Sequence, residues 1–181
     1  MGTAVKNFFR ATVSGESQAR NIETTLNAYP LDLPVQLDVE LFDNIDPALV
    51  TSRLQALVYQ LQGYQGYTYP GIYTSVGLWN PHVLPWSGWK NCPLWVAHWN
   101  VTKPTLPRDW TDYLIWQYKL YDGKTWGVSS AKVDLDQWHE TYPFPGTTPP
   151  DPDPEPEKVM GYMQVKIGGK LYMGHAELEE E

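Results

Sequence analysis

Three short predicted strands alternate with two predicted helices over residues 5–74, and that alternation restricts the chain to a parallel sheet or barrel. The first run covers residues 5–10. Ser14 then caps a predicted helix over 15–29, with Ala19, Ile22, Leu26 and Tyr29 close to helical spacing. The second run covers 34–41. Asp46 and Pro47 supply the next cap and a proline at the first helical position. That helix is predicted to run to about Gln62, with Leu49, Val50, Leu54, Leu57, Val58 and Leu61 inward, and Gly63 and Gly66 end it. The third run is 69–74. Further strands are predicted at 94–99, 114–118 and 131–135, with no strong helical pattern between 69 and 136.

The second run carries the chemistry. It is apolar from Val35 to Leu41 apart from Gln36, Asp38 and Glu40. Side chains two apart on a strand share a face, which sets Asp38 and Glu40 side by side, roughly 6–7 Å apart. Two carboxylates crowded on an apolar strand do not ionise together easily, so one proton is held more tightly. An acid and an anion at the same pH is what glycoside hydrolysis requires. From this stretch alone, a solvated strand end with both acids facing water is equally open. In barrels of alternating strands and helices, chemistry gathers at the C-terminal strand ends. Asp38, Glu40, Tyr73, His98, Gln117 and Asp134 are strand or strand-end residues and are expected to converge on one rim.

Composition narrows the function classes. The chain has 181 residues and a net charge of −8, with its basic residues dispersed, which argues against nucleic acid or an anionic membrane surface as partner. No apolar run approaches the ~20 residues of a membrane span. The first ten residues lack the apolar core and cleavage site of a signal peptide. The single Cys92 excludes an intramolecular disulfide. His82, His98, His139 and His175 lack ligand spacing, and neither a Gly-x-Ser-x-Gly elbow nor a phosphate loop is present, so no metal and no cofactor is expected. Nine tryptophans, all within residues 79–138, and twelve tyrosines exceed the needs of a core this size. Flat rings with polar edges suit stacking on sugars as well as packing under loops, and about half of them are expected to do the latter.

Residues 143–157 alternate proline with acid and read as an extended linker of ~40 Å reach. Residues 158–181 alternate around Gly168-Gly169 as a β-hairpin, a unit too small to stay folded alone. It needs a surface to dock on: the main domain, a second copy or a partner. The expected divisions are therefore 1–142, 143–157 and 158–181.

Several segments recur in a familiar order: Phe8-Phe9-Arg10, Leu37-Asp38-Val39-Glu40, Tyr69-Pro70-Gly71-Ile72-Tyr73-Thr74, Leu94-Trp95-Val96-Ala97-His98-Trp99, Leu106-Pro107-Arg108-Asp109-Trp110, Trp116-Gln117-Tyr118 and Val133-Asp134-Leu135-Asp136. This ordered set, over roughly residues 5–140, resembles the muramidase lysozymes of glycoside hydrolase family 25, found in phage endolysins and bacterial autolysins. The resemblance implies that Glu40 is the general acid. It implies that Asp38 is the second carboxylate, as nucleophile or as orienter of the substrate's N-acetyl group, and that Asp134 is an active-site acid on the last strand. Tyr73, His98 or Trp99, and Gln117 fall at pocket-lining positions, and Trp79 joins the expected sugar-facing set. The implied partner is the glycan strand of peptidoglycan, and the implied setting is endolysin-like or cell-wall-acting.

The departure from the pattern is equally informative. Family members begin with an Asp-Val-Ser-like strand carrying another active-site Asp, and nothing here corresponds to it. The expected fold is α/β: an incomplete (β/α) barrel holding the later strands only, with the proline-rich linker and the hairpin appended. Such an open half-barrel exposes sheet edges, which calls for a companion chain or self-association. The alternative reading is a truncated or split, non-catalytic member that binds glycan or serves as a structural subunit.

Overall fold

The computed structural model describes residues 4–127, 129–142, 160–167 and 170–177. Its frame is one six-stranded sheet in the order β1 (Lys6–Phe8), β2 (Gln36–Asp38), β3 (Gly71–Thr74), β4 (Leu94–Ala97), β5 (Ile115–Asp122) and β6 (Lys132–Trp138). The first five strands are parallel and β6 returns antiparallel to β5. β1 and β6 are the two edges, so the sheet is an open half-barrel. The predicted linker at 143–157 lies outside the described residues. Beyond it, β7 (Met160–Ile167) and β8 (Lys170–Glu177) pair antiparallel as a separate two-stranded sheet, and β7 lies beside β6. The Gly168-Gly169 turn lies outside the described residues.

Helix α1 (Gly15–Leu26) follows β1, and α2 (Pro47–Gln60) follows β2. Both caps act as their sequences require: Ser14 accepts from Ser17 N, and Asp46 accepts from Ala48 N ahead of Pro47. α1 ends earlier than its apolar spacing suggests, and Tyr29 is exposed outside it. The carbonyls at that end are taken by the Gln65 side chain, whose Nε2 donates to Leu26 O at 3.2 Å and to Tyr29 O at 3.0 Å. In α2, Leu49 faces solvent and Thr51 takes an inward place. The Thr51 hydroxyl donates to Pro47 O at 2.6 Å and accepts from Leu84 N at 2.8 Å, tying α2 to the loop beyond. A third helix, α3 (Val76–His82), stands where no helical pattern was apparent; it is two turns long and contains Pro81.

Alternation along the parallel strands sorts the side chains into two layers. Phe9, Leu37, Val39, Ile72, Val96 and Trp116 lie in one continuous buried cluster with Ile22 and Leu26 of α1 and Leu54, Leu57 and Val58 of α2. Tyr73, Trp95 and Ile115 belong to a second, smaller cluster on the concave face. The aromatic excess is largely structural. Among the described residues five tryptophans are buried, and Trp79, Trp89 and Trp110 meet edge to face, Trp79 lying 5.2 Å from Trp89 and 4.7 Å from Trp110. Their ring N–H groups donate to Asp109 Oδ2, Leu84 O and Cys92 O respectively.

Gly15 marks the closest approach of α1 to α2: a Cβ there would stand 2.2 Å from Arg53 O and 2.5 Å from Leu57 N. Alanine is otherwise the better helix former. Gly15→Ala is therefore expected to lower stability by roughly 1–3 kcal/mol through overpacking, read as a drop in thermal midpoint; an unchanged or raised midpoint would contradict the helix contact.

A buried carboxyl on the concave face gives the fold a pH dependence. Asp136 accepts from Trp95 Nε1 at 2.8 Å through Oδ1, while its buried Oδ2 has no hydrogen-bond partner among the described residues. Burial pushes its pKa up to about 8 against the Trp95 hydrogen bond, with the Asp134 charge adding and Lys6 opposing. The folded state thus holds this proton more tightly than the unfolded chain. The contribution is fully present below the unfolded value of 3.8 and is lost as pH rises toward about 8. Asp136→Asn keeps an acceptor for Trp95 and removes the ionisation. Its melting temperature should gain on the parent as pH rises from 4 to 8; a difference that stays flat over this range would refute the buried-acid assignment.

Candidate active site

The concave face at the C-terminal end of the parallel strands collects the chain's unusual charges. β2 delivers Asp38, opposite Tyr73 of β3 in register, and continues into Glu40. β6 runs the other way, which sets Asp136 opposite Gln117, and Asp134 farther along opposite Leu120 after a bulge between Gln117 and Lys119. The sheet curls enough for Lys6, on one edge strand, to act electrostatically on Asp134 and Asp136 on the other.

Glu40 is half-buried, and its pKa is pushed up to about 7. Burial is the main cause, followed by the Asp38 charge and by the hydrogen bond a protonated Glu40 offers Asp38; Lys6 opposes and Asp134 adds a little. Asp38 is held differently. Its Oδ2 lies 3.0 Å from Lys6 Nζ, with both side chains 7% exposed. Its Oδ1 is buried without a hydrogen-bond partner among the described residues. Two neighbouring carboxyls thus sit in unequal environments, one able to keep its proton near neutrality and one ion-paired. The half-buried Asp134 is also raised, by burial, with Lys6 pulling the other way.

The wall beside the acids is aromatic and amide. Tyr73 OH donates to Gln117 Oε1 at 3.0 Å, and Trp99 Nε1 donates to the same oxygen at 3.0 Å. Gln117 is buried, whereas Trp99 is 44% exposed and presents its ring to solvent at the rim. Tyr73 also meets Trp95 edge to face at 5.2 Å, and burial followed by the Glu40 and Asp38 charges raises its phenol well above the usual range.

Asp38, Glu40, Asp134, Tyr73, Gln117 and Trp99 are therefore brought together. Trp79 is not: it is 0% exposed, hydrogen-bonded to Asp109 and enclosed by Trp89 and Trp110, so it packs the outer layer and has no surface to offer a sugar. Neither is His98 tied to the acids. Strand alternation gives Ala97 the concave position, and His98 Nδ1 accepts from Thr105 N at 2.9 Å in the following loop. Sequence reasoning missed Lys6, Trp95 and Asp136. A lysine inside the first predicted strand and an acid two residues beyond Asp134 were visible signals, but only the strand register shows that they share the concave face. Among the described residues no cluster of His, Cys, Asp and Glu could hold a metal ion.

Comparison with known proteins shows the family. Residues 3–124 match the family model for glycosyl hydrolases family 25. Lysozyme M1 of Streptomyces globisporus is 41% identical over 69 residues, which are 38% of this chain and 23% of that protein. A muramidase from Acremonium alcalophilum superposes with a TM-score of 0.58 at 25% identity, over 74% of this chain and 66% of that one. The spore cortex lytic enzyme SleM of Clostridium perfringens superposes with a TM-score of 0.59 at 15% identity, over 99% of this chain and 80% of that one. The chain thus spans about a quarter of the length of the lysozyme and about two thirds of the muramidase that it resembles. Since the family match takes in five of the six sheet strands and both paired carboxylates at Asp38 and Glu40, the chain belongs to glycosyl hydrolases family 25.

Proposed function

We propose that the chain is a peptidoglycan muramidase, hydrolysing the β-1,4 bond between N-acetylmuramic acid and N-acetylglucosamine. One observation carries this reading: Glu40, raised to about 7, stands beside an ion-paired Asp38 on the concave face of the sheet. Below about pH 7 Glu40 holds its proton and can give it to the leaving glycosidic oxygen. Asp38 either stabilises the positive charge that develops at the anomeric carbon or orients the acetamido group as internal nucleophile. Trp99 at the rim offers an exposed ring on which a sugar can stack. Lysozyme and muramidase relatives support the substrate class, and a cell-wall or endolysin-like setting follows from it. Among the described residues no helix is long and apolar enough to cross a membrane.

The open edge of β1 underlies a second part of the proposal, that the barrel is closed by a companion chain or a second copy pairing there. We assign domain roles accordingly: residues 1–142 carry the chemistry, 143–157 link, and 158–181 form the accessory hairpin.

Glu40→Gln should lower the release of reducing ends from purified peptidoglycan by about 10²–10⁴-fold with the fold intact. Parent activity should fall as pH rises through about 7, where Glu40 loses its proton. A variant as active as the parent would end the assignment. For the edge, light scattering should show mass rising with concentration, and activity per chain rising with it. A monomer at every concentration with constant activity would remove that part of the proposal.

A further inference from the structure

Lys6 occupies an unusual place for a lysine. Its ammonium lies 3.0 Å from Asp38 Oδ2, 3.2 Å from the centroid of the Tyr73 ring and 5.3 Å from that of Trp95. A buried ammonium is tolerated only when it is paired, and here one carboxylate and two ring faces provide the compensation. These partners come from β2, β3 and β4, while Lys6 itself comes from β1, so one cation joins four consecutive strands. The charged and titratable groups that face it are Asp38 and Glu40 from β2 and its extension, Tyr73 from β3, and Asp134 and Asp136 from β6.

We propose that Lys6 is a positioning residue of this site: held against the Tyr73 ring, its ammonium fixes Asp38 through Oδ2 and thereby leaves Oδ1 as the acceptor that faces Glu40. The proposal rests on the muramidase reading for its catalytic meaning. A carboxylate turns broadly about its terminal torsion, so anchoring one oxygen is what gives the other a defined direction. The free oxygen is also the one without a hydrogen-bond partner among the described residues. Lys6 further opposes the burial and carboxylate repulsion that raise Glu40, so the general acid can release its proton near neutrality rather than far above it.

The test is a ¹³C NMR titration of side-chain carboxyls in the full chain, with the Glu40 signal assigned by its loss in Glu40→Gln. Lys6→Met should raise the Glu40 midpoint by roughly one pH unit, and Lys6→Arg should restore most of the parent value. In reducing-end assays Lys6→Met should lower kcat by about 10²-fold through misplacement, with little change in KM, and move the basic limb of the pH profile upward in parallel. If Lys6→Met fails to fold, Lys6→Gln carries the same expectations. An unchanged Glu40 midpoint in a folded neutral variant would overturn the proposal. Parent protein that releases no reducing ends, with a Glu40 midpoint that responds to Lys6 as expected, would defeat the muramidase reading and leave the Lys6 placement standing.

Discussion

Four carboxyls, Asp38, Glu40, Asp134 and Asp136, share the concave face of one sheet with Tyr73 and Trp95, and they coexist there because they need not all be charged. Burial penalises each charge, and crowding penalises each additional one. The face resolves the conflict in two ways. Glu40 and Asp136 hold their protons more tightly, to about 7 and about 8, while Asp38 pairs with Lys6. The range below about pH 7 in which Glu40 keeps a proton to donate is also the range in which Asp136 favours the folded chain. Protonation of Glu40 and the Asp136 contribution to stability therefore both fall as pH rises.

The parallel register converts this charge arrangement into a directed site. Each parallel strand contributes residues to the concave face at a period of two, and the pairings Phe8–Asp38, Asp38–Tyr73 and Ala97–Gln117 bring the strand ends to one level. The opposite faces of the same strands bury Phe9, Val39, Val96 and Trp116 against the outer layer. A slip of one residue in any strand would exchange the two sets and place an acid in the apolar layer. The outer core thus enforces the register that the site needs.

Much of this was legible in the sequence. The caps at Ser14 and Asp46 and the strand–helix alternation follow from local rules, and each appears in the structure; Glu40 lies beyond β2, near enough to Asp38 for the two carboxyls to interact. What escaped depended on distant contacts. α1 stops at Leu26, where Gln65, far along the chain, takes Leu26 O and, beyond the helix, Tyr29 O. Leu49 is exposed and Thr51 inward because the loop after α3 needs the threonine hydroxyl. Trp79 looked like a sugar platform because composition reports how many rings there are, not which layer each enters. Lys6 went unremarked because its importance lies in partners on other strands, which no local spacing encodes.

The site's dependence on Lys6 ties it to the outer layer through a short and vulnerable element. β1 has three residues and pairs with β2 alone in its sheet. Its exit is secured elsewhere: Gln18 of α1 accepts from Arg10 N at 2.8 Å and donates to Arg10 O at 3.1 Å, and Arg53 of α2 donates to Ala11 O. Gly15 lets the two helices approach closely, since a Cβ there would meet Arg53 O and Leu57 N of α2. The Arg53 tie places one end of that support on α2, and the Gln18 ties place the other on α1. An edge strand is ordinarily the most dispensable part of a sheet. Here it carries the cation that pairs with Asp38 and opposes the rise of Glu40.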